Sequence, residues 1–448
     1  MFVSGLSILS ALVLVQAGAE FEPGARFESR AGEAPTGTQT LPTGQIVPAE
    51  QAQLMVVATP ILGLHWLSEV NDLRANSATR ILWRPEPLPD SRPLFLETIE
   101  ATHIAHPSPR TRWQLSLRGS YGEEDYTSLS QQFANQPTLP TATTAVMVNG
   151  LADASWRSTR RTTLTLQLGG FHRRALDGQT VASSTTGPGS AFVPLPTQTS
   201  ATATPGMRFA LTRRTSLEAF ATIADADIQG ISPVTNEAGR TNVFSVQPQV
   251  GILQEVSRSH QLHLLAGLTY AAAIRRLDAS QTWHPVTPIF AVDLRSVLRR
   301  TRDAVVRSSL GAGTTWYADP VLGVAVVRGI AQANLDAQLG LKWTVGIHGT
   351  FATDLTRRLP TVNGGIPPDE TIVSAEIPFR YRWSEQWVAE FGGRFAERGP
   401  HLATPSLAAP NFALRSQERE MWVFLTLLTV PRAPSARPSP TGRTAATP

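Results

Sequence analysis

The chain has 448 residues, of which 42% are hydrophobic and 17% are charged, and it contains no cysteine. The lack of cysteine excludes a disulfide framework, a zinc ribbon, a thiolate iron–sulfur site and a cysteine nucleophile. Lys and Arg total 39 against 35 Asp and Glu, so the net charge is only +4. Because Lys342 is the single lysine, this balance rests on arginine, and we predict no nucleic-acid partner.

The amino terminus resembles a secretory signal peptide. Phe2–Val15 form an apolar run, and the small residues Ala17-Gly18-Ala19 match a cleavage pattern before Glu20. No Lys or Arg precedes the apolar run, which departs from the usual pattern. We predict that residues 1–19 are a signal peptide. Residues 20–52 are rich in Gly, Pro, Thr and Glu, and we predict that they are disordered or form a plug.

From about Leu54 onward the hydrophobic pattern has a period of two, in segments of about ten residues, as in strands that cross a bilayer at a tilt. In Arg112–Tyr121, for example, Trp113, Leu115 and Leu117 alternate with polar residues. No later stretch reaches the roughly 18 uncharged apolar residues of a transmembrane helix. Fourteen such segments follow residue 111, at 112–121, 148–156, 163–170, 206–211, 217–223, 244–252, 262–272, 286–294, 306–316, 329–339, 341–351, 373–383, 387–395 and 420–430. Three more precede them, at 56–66, 73–83 and 93–105.

The connections between these segments alternate in length. Short links, such as 157–162 and 384–386, separate long ones rich in Pro, Thr, Ser and Gly, such as 123–144, 172–205 and 397–417. Transmembrane barrels have short periplasmic turns and longer outer loops. We therefore predict an all-β fold, a transmembrane antiparallel up-and-down β-barrel over residues 53–430. Seventeen segments are odd in number, so we expect 16 to 18 strands, and 431–448 form a disordered tail.

Tryptophan positions agree with this topology. Residues near the short turns would form one rim girdle and residues near the long loops the other, because indole rings prefer the headgroup level. The first group is Trp113, Trp156, Trp343, Trp383 and Trp387, and the second is Trp83, Trp283 and Trp316.

Together these features resemble the broad outer-membrane β-barrel class. The arginine-rich composition and strand ends such as Ser120–Tyr126 are similar to uncharacterised barrels of myxobacteria and other high-GC Gram-negative bacteria. The resemblance allows a polysaccharide-exporting porin without selecting it. It implies outer-membrane lipid, lipopolysaccharide and the barrel-assembly machinery as partners. The chain lacks a terminal aromatic residue, so Trp422 and Phe424 are the expected carriers of an internal assembly signal.

Charged residues within the strands should face the lumen, since an arginine on the lipid face costs about 2–4 kcal/mol at the midplane. The predicted pore lining is Arg118, Arg307, Asp336, Lys342, Glu376, Arg380, Arg382, Glu390 and Arg394. His103 and His106 should point to opposite faces, and no histidine lies in an assignable motif. We predict no catalytic residue, metal or cofactor.

These features predict a passive or partner-gated channel for hydrophilic solutes in the outer membrane. A second hypothesis is a pore for export of a cell-surface polysaccharide, with a periplasmic partner, which should show inward aromatics. A third is a structural or adhesion barrel plugged by 20–51 or by 172–205. An enzyme ranks last. The sequence leaves the oligomeric state open.

Overall fold

The computed structural model describes residues 20–40, 46–83, 93–125, 142–176, 197–231, 238–275, 286–318, 325–355, 371–399, 401–403, 413–415 and 418–429. The predicted signal peptide (1–19) and tail (431–448) lie outside these ranges. Among the described residues, no helix is long and apolar enough to span a membrane.

Eighteen strands form one antiparallel sheet. They are β1 (Glu20–Thr40), β2 (Ile46–Leu67), β3 (Asn71–Trp83), β4 (Leu94–Ser108), β5 (Thr111–Asp125), β6 (Ala142–Arg157), β7 (Thr162–Ala175), β8 (Thr197–Ala210), β9 (Thr215–Ile231), β10 (Ala238–Ser257), β11 (His260–Arg275), β12 (Val286–Arg300), β13 (Ala304–Ala318), β14 (Ala325–Leu339), β15 (Trp343–Asp354), β16 (Thr371–Arg382), β17 (Trp387–Arg398) and β20 (Glu418–Thr429). Between β17 and β20, the short strands β18 (His401–Ala403) and β19 (Ala413–Arg415) form a separate hairpin.

The sheet closes on itself because β1 pairs with β2 on one side and with β20 on the other. Arg26 lies opposite Thr59 of β2 and opposite Leu428 of β20. Among the described strands of the sheet, closure gives each one a partner on both sides within the wall, and a membrane requires this because unpaired backbone groups in lipid cost several kcal/mol each. The predicted antiparallel barrel of 16 to 18 strands is confirmed, with 18. The fourteen strands expected after residue 111 are all present, as are the three upstream ones.

The eighteenth strand is β1, and it corrects the expectation for residues 20–52. The structure places Glu20–Thr40 in the barrel wall, and β2 begins at Ile46, so the wall starts well before residue 53. The expected disorder rested on the glycines and prolines of this segment. The strand forms because β2 supplies backbone partners along its length and β20 supplies them over residues 26–33.

Strand β20 shows which face of the wall is which. Met421, Val423 and Leu425 are exposed, whereas Trp422 and Phe424, between them, are buried. Outward side chains of a closed barrel spread apart on a convex surface, and only inward ones can pack together, so the even-numbered residues of β20 face inward. Directly paired residues of antiparallel strands share a face. The register of the paired strands therefore assigns the inward face of all the remaining strands of the wall.

The connections alternate in length as predicted. At one end, links have two (109–110) to four (383–386) residues; at the other they have five (41–45) to twenty-one (176–196). The short links belong to the periplasmic end by the general rule for such barrels. In the turn 340–342, Gly340 adopts a φ of +62°, a conformation that glycine reaches without steric cost.

Several strands extend further toward the long loops than the sequence suggested. β8 starts at Thr197, inside the predicted loop 172–205, and β9 continues to Ile231. Near this end charged residues also occupy the outward face, where Arg240 pairs with Asp227 across β9 and β10. Outward charges are tolerated only beyond the apolar band, so these strand ends project past the lipid.

Candidate pore

The register places the predicted inward charges on one continuous polar face. Arg118 lies in β5, Arg307 in β13, Asp336 in β14, Glu376 and Arg380 in β16, and Glu390 and Arg394 in β17. Each shares a face with its directly paired neighbour. Followed from one strand to the next, these pairings place the charges on the same face as Trp422 and Phe424 of β20. The register agrees with the alternation in the sequence about which residues share a face, and the lining of a pore by these residues stays a prediction.

Lys342 is the exception. It is the last residue of the turn 340–342, and its side chain is exposed below the wall. Its backbone carbonyl accepts a 2.8 Å hydrogen bond from the amide of Arg382, which ends β16 at the turn-end rim. The sequence predicted a strand from residue 341 because Leu341 and Trp343 continue the apolar alternation of the preceding strand. In the structure, β15 begins at Trp343.

Two ion pairs link the inward faces of β16 and β17. The Arg380 Nε donates to the Glu390 Oε2 at 2.8 Å, close to the turns. The Arg394 Nε donates to the Glu376 Oε2 at 2.7 Å, and this pair lies four residues further from the turn along each strand. The two residues of each pair lie directly opposite each other in the register, so the backbone pairing itself sets the geometry of the pair.

Further pairs extend this charged face around the barrel. The Arg118 Nε is 3.2 Å from Glu100 Oε1 of β4. The His348 Nε2 of β15 is 3.0 Å from Asp336 Oδ1. Glu218 of β9 pairs with Arg208 of β8 and, at 3.1 Å, with His263 of β11. Glu100, Glu218 and His263 were not predicted as lining residues because their strands alternate weakly in sequence. His348 lies on the polar face of a clearly alternating strand and was not selected either. Finding the partners of all four residues requires the register.

The lining differs between the two ends of the barrel. Arg118 and Arg380, in the middle and lower wall respectively, have 52% and 54% of their side chains exposed. Near the loop end, Arg328 of β14 and Asp354 of β15 form a 2.8 Å pair with only 7% and 0% exposed. Arg173, Arg398 and Glu420 at that level are also buried. The charged lumen is therefore open toward the turns and closely packed toward the loops.

A small apolar cluster interrupts the polar lining beside the closing strands. Trp422 of β20 packs with Met55, Val57 and Leu82 of β2 and β3, and Leu94 adds to the group. Phe424, the other expected assembly signal, is also inward and buried. The lipid-facing residues of β20 are instead aliphatic or thioether side chains.

The outward face carries the predicted aromatic girdles. At the turn end, Trp113, Trp156, Trp343 and Trp387 are outward in their strands and partly exposed, and Trp383 lies in the adjacent link. Trp83 and Trp316 occupy outward positions toward the loops, while Trp283 lies outside the described residues. His103 is outward too, with its ring 4.7 Å from Trp113 and its Nε2 3.1 Å from Asn71 Oδ1. It thus belongs to the girdle.

A closed 18-stranded antiparallel wall with an apolar outer band, aromatic rims and a charged interior defines a transmembrane β-barrel. Barrels of this architecture are proteins of outer membranes.

No protein-family model matches the chain. A search of curated proteins also finds no match.

Solved structures of similar topology are receptors and transporters. A mutant of the ferric enterobactin receptor PfeA from Pseudomonas aeruginosa is 8% identical, with 91% of this chain and 80% of that one covered and a TM-score of 0.44. The FrpB iron transporter from Neisseria meningitidis is 8% identical, with 91% and 82% covered and a TM-score of 0.46. The copper transporter OprC is 12% identical, with 92% and 81% covered and a TM-score of 0.42. At these identities and scores the likenesses assign no cargo to this chain.

Proposed function

We propose that the protein is an outer-membrane channel for hydrophilic solutes. The observation that carries this proposal is the ion-paired charge on the inward face of the wall, which is exposed at Glu100–Arg118 and partly exposed at Glu376–Arg394 and Arg380–Glu390. Charges this exposed require water beside them, because transfer of an ion into an apolar medium is prohibitive. Barrels of about 16–18 strands are wide enough to hold an aqueous lumen.

The proposed selectivity arises from the same pairs. Each pair places a cation and an anion side by side on the wall, so a solute passing them meets a transverse field rather than a single sign of charge. Neutralising the arginine of a pair leaves its glutamate uncompensated. The lumen wall then favours cations.

Inward charge also distinguishes a small-solute channel from a polysaccharide conduit, which should be lined by aromatic rings along its path. Among residues whose side chains are described, the inward aromatics are Phe171, Phe220, Trp422 and Phe424, and the last two are buried. They form no continuous row, since β7, β9 and β20 are not adjacent. We therefore favour small hydrophilic solutes over a glycan chain.

Single-channel recording in planar bilayers tests the proposal. We expect stable conductance from the wild-type protein and a shift toward cation selectivity in an Arg380→Gln, Arg394→Gln double variant. One unit charge about 4 Å from an ion in water contributes about 1 kcal/mol, or a roughly fivefold change in the permeability ratio. Lys342→Gln, which removes the same charge from a turn below the wall, should leave selectivity unchanged.

Absence of conductance from protein that migrates as a folded barrel on unheated gels would contradict an open channel. A second candidate would then take its place, because the buried inward residues at the loop end favour a gated or plugged barrel. Equal selectivity shifts in the Lys342 variant and in the double variant would show that the β16–β17 pairs do not line the conducting path.

A further inference from the structure

A second site lies at the turn end of the lumen, where the first strand begins. Glu20 and Glu22 are alternate residues of β1 and share its inward face, and Glu20 lies directly opposite His65 of β2. The ligand atoms of these three side chains all lie within 4.8 Å of one another. Asp72, near the start of β3, completes the group from the other side of His65.

The histidine is held in a specific orientation. Only 4% of its side chain is exposed, and its Nε2 is 3.0 Å from Asp72 Oδ1. An ionised carboxylate can only accept, so the Nε2 carries the proton of this hydrogen bond. The Nδ1 then points toward Glu22 Oε1 at 3.8 Å, too far for a hydrogen bond. A neutral ring would therefore present a lone pair to two carboxylates, and a cation placed between them would bind all three groups.

The charges of the group match a divalent ion. Arg74 pairs with Asp72 at 3.2 Å and balances its charge. The two glutamates supply the remaining two negative charges. One nitrogen and two carboxylate oxygens suit Zn²⁺ and similar transition ions, whereas Ca²⁺ and Mg²⁺ prefer oxygen alone.

The distances also suit such an ion. Zn²⁺ binds nitrogen and oxygen at about 2.0–2.2 Å, so tetrahedral ligand atoms lie roughly 3.3 Å apart. A modest rotation of Glu22 brings its oxygen from 3.8 Å to this separation. The exposed Glu20 at the strand end has the freedom to complete the set.

We propose that Glu20, Glu22 and His65 bind one divalent transition-metal ion, with Asp72 orienting the histidine. Histidine ligands commonly donate their second ring nitrogen to a carboxylate in this way. The ion joins β1 to β2 where β1 enters the wall. It thereby fastens the strand that closes the barrel, independently of what the channel transports.

Zinc binding to purified, folded full-length protein without a polyhistidine tag tests this assignment. After treatment with a chelator, calorimetric titration with Zn²⁺ should give one site per chain. We expect Glu22→Gln and His65→Ala each to abolish this site and Asp72→Asn to weaken it roughly 10- to 100-fold, the usual effect of losing a carboxylate that orients a ligand.

The matched control is His348→Ala. His348 also pairs with one inward carboxylate, Asp336, at 3.0 Å, but Glu376, its direct neighbour in the register, is held by Arg394, and the described residues offer no group of three ligand atoms there. This variant should bind zinc like the wild type. Folding of every variant is checked by its heat-dependent gel mobility before titration, which keeps misfolding separate from loss of the site.

Zinc binding that is equal in the wild type, Glu22→Gln and His65→Ala would overturn the proposal, since it would reveal an adventitious ion only. Failure of the folded wild type to bind zinc would overturn it too. Neither result bears on conductance.

Discussion

Leu117→Arg should prevent the barrel from assembling, whereas Ser116→Arg should leave it folded. The two residues are neighbours in β5, but Leu117 is outward and 49% exposed, while Ser116 is on the inward face. Leu117 lies above Trp113 of the turn-end girdle, near the middle of the apolar band. An arginine there costs about 2–4 kcal/mol at the bilayer midplane. The same side chain at position 116 reaches the aqueous lumen.

Heat-modifiable gel mobility and urea titration in lipid vesicles measure this difference. The Leu117 variant should lose most of its folded fraction or unfold at a clearly lower urea concentration than the Ser116 variant. Equal stability of the two variants would contradict the assignment of lipid and lumen faces throughout β5 and its neighbours.

Removal of residues 20–40 after the signal segment should abolish the folded barrel. Without β1, strands β2 and β20 face each other, and both run from the loop end to the turn end. They could close the sheet only as a parallel pair in a new register. The backbone groups that β1 satisfies on both neighbours, including eight residue pairs with β20, would otherwise stay unpaired. Each such group in lipid costs several kcal/mol.

The control for this deletion is removal of residues 431–448, a segment of similar length after the last described strand, and we expect this variant to fold. A plug-like segment would behave in the opposite way to a wall strand, because its removal should leave a folded barrel with larger conductance. Folded, conducting protein after loss of 20–40 would therefore contradict the closure seen in the structure.

The sequence signal for β1 was present but weak. Phe21, Ala25 and Phe27 are outward and Glu22 and Glu28 inward, so the segment does alternate. Its prolines and glycines are typical of linkers, and the small outward residues offer little hydrophobic contrast. What makes the segment a strand is the pairing available on both sides, and that pairing is visible only once the sheet is closed. Propensity is readily overridden by such tertiary context.

The candidate pore, too, could be predicted from the sequence only in part. Inward arginines and glutamates of β16 and β17 could be assigned from alternation, since the cost of charge in lipid leaves only one face for them. The short link places these charges in one hairpin, whereas their individual partners are given by the register. Arg118 and Glu100, by contrast, pair across two strands of which one alternates weakly, so only the register joins them. The candidate metal group is similarly hidden, because Glu22 and His65 are more than forty residues apart in sequence.

The error at Lys342 has a local cause. A strict period of two continues across the link between β14 and β15, so the pattern alone does not reveal a break. The left-handed Gly340 ends β14, and the next two residues complete the turn. An apolar alternation that continues unchanged on both sides of a short turn is therefore insufficient evidence that the residues of the turn belong to the wall.

The central claim is that the polar face of this wall borders water and the apolar face borders lipid. The absence of native cysteine allows a direct measurement with single cysteines at adjacent positions of β15, Thr350→Cys on the inward face and Phe351→Cys on the outward face. In intact membranes, a charged, membrane-impermeant thiol reagent should modify the cysteine at position 350 and spare the one at position 351. Detergent-denatured protein, in which both react, provides the control. Protection at position 350 together with modification at position 351 would contradict the account.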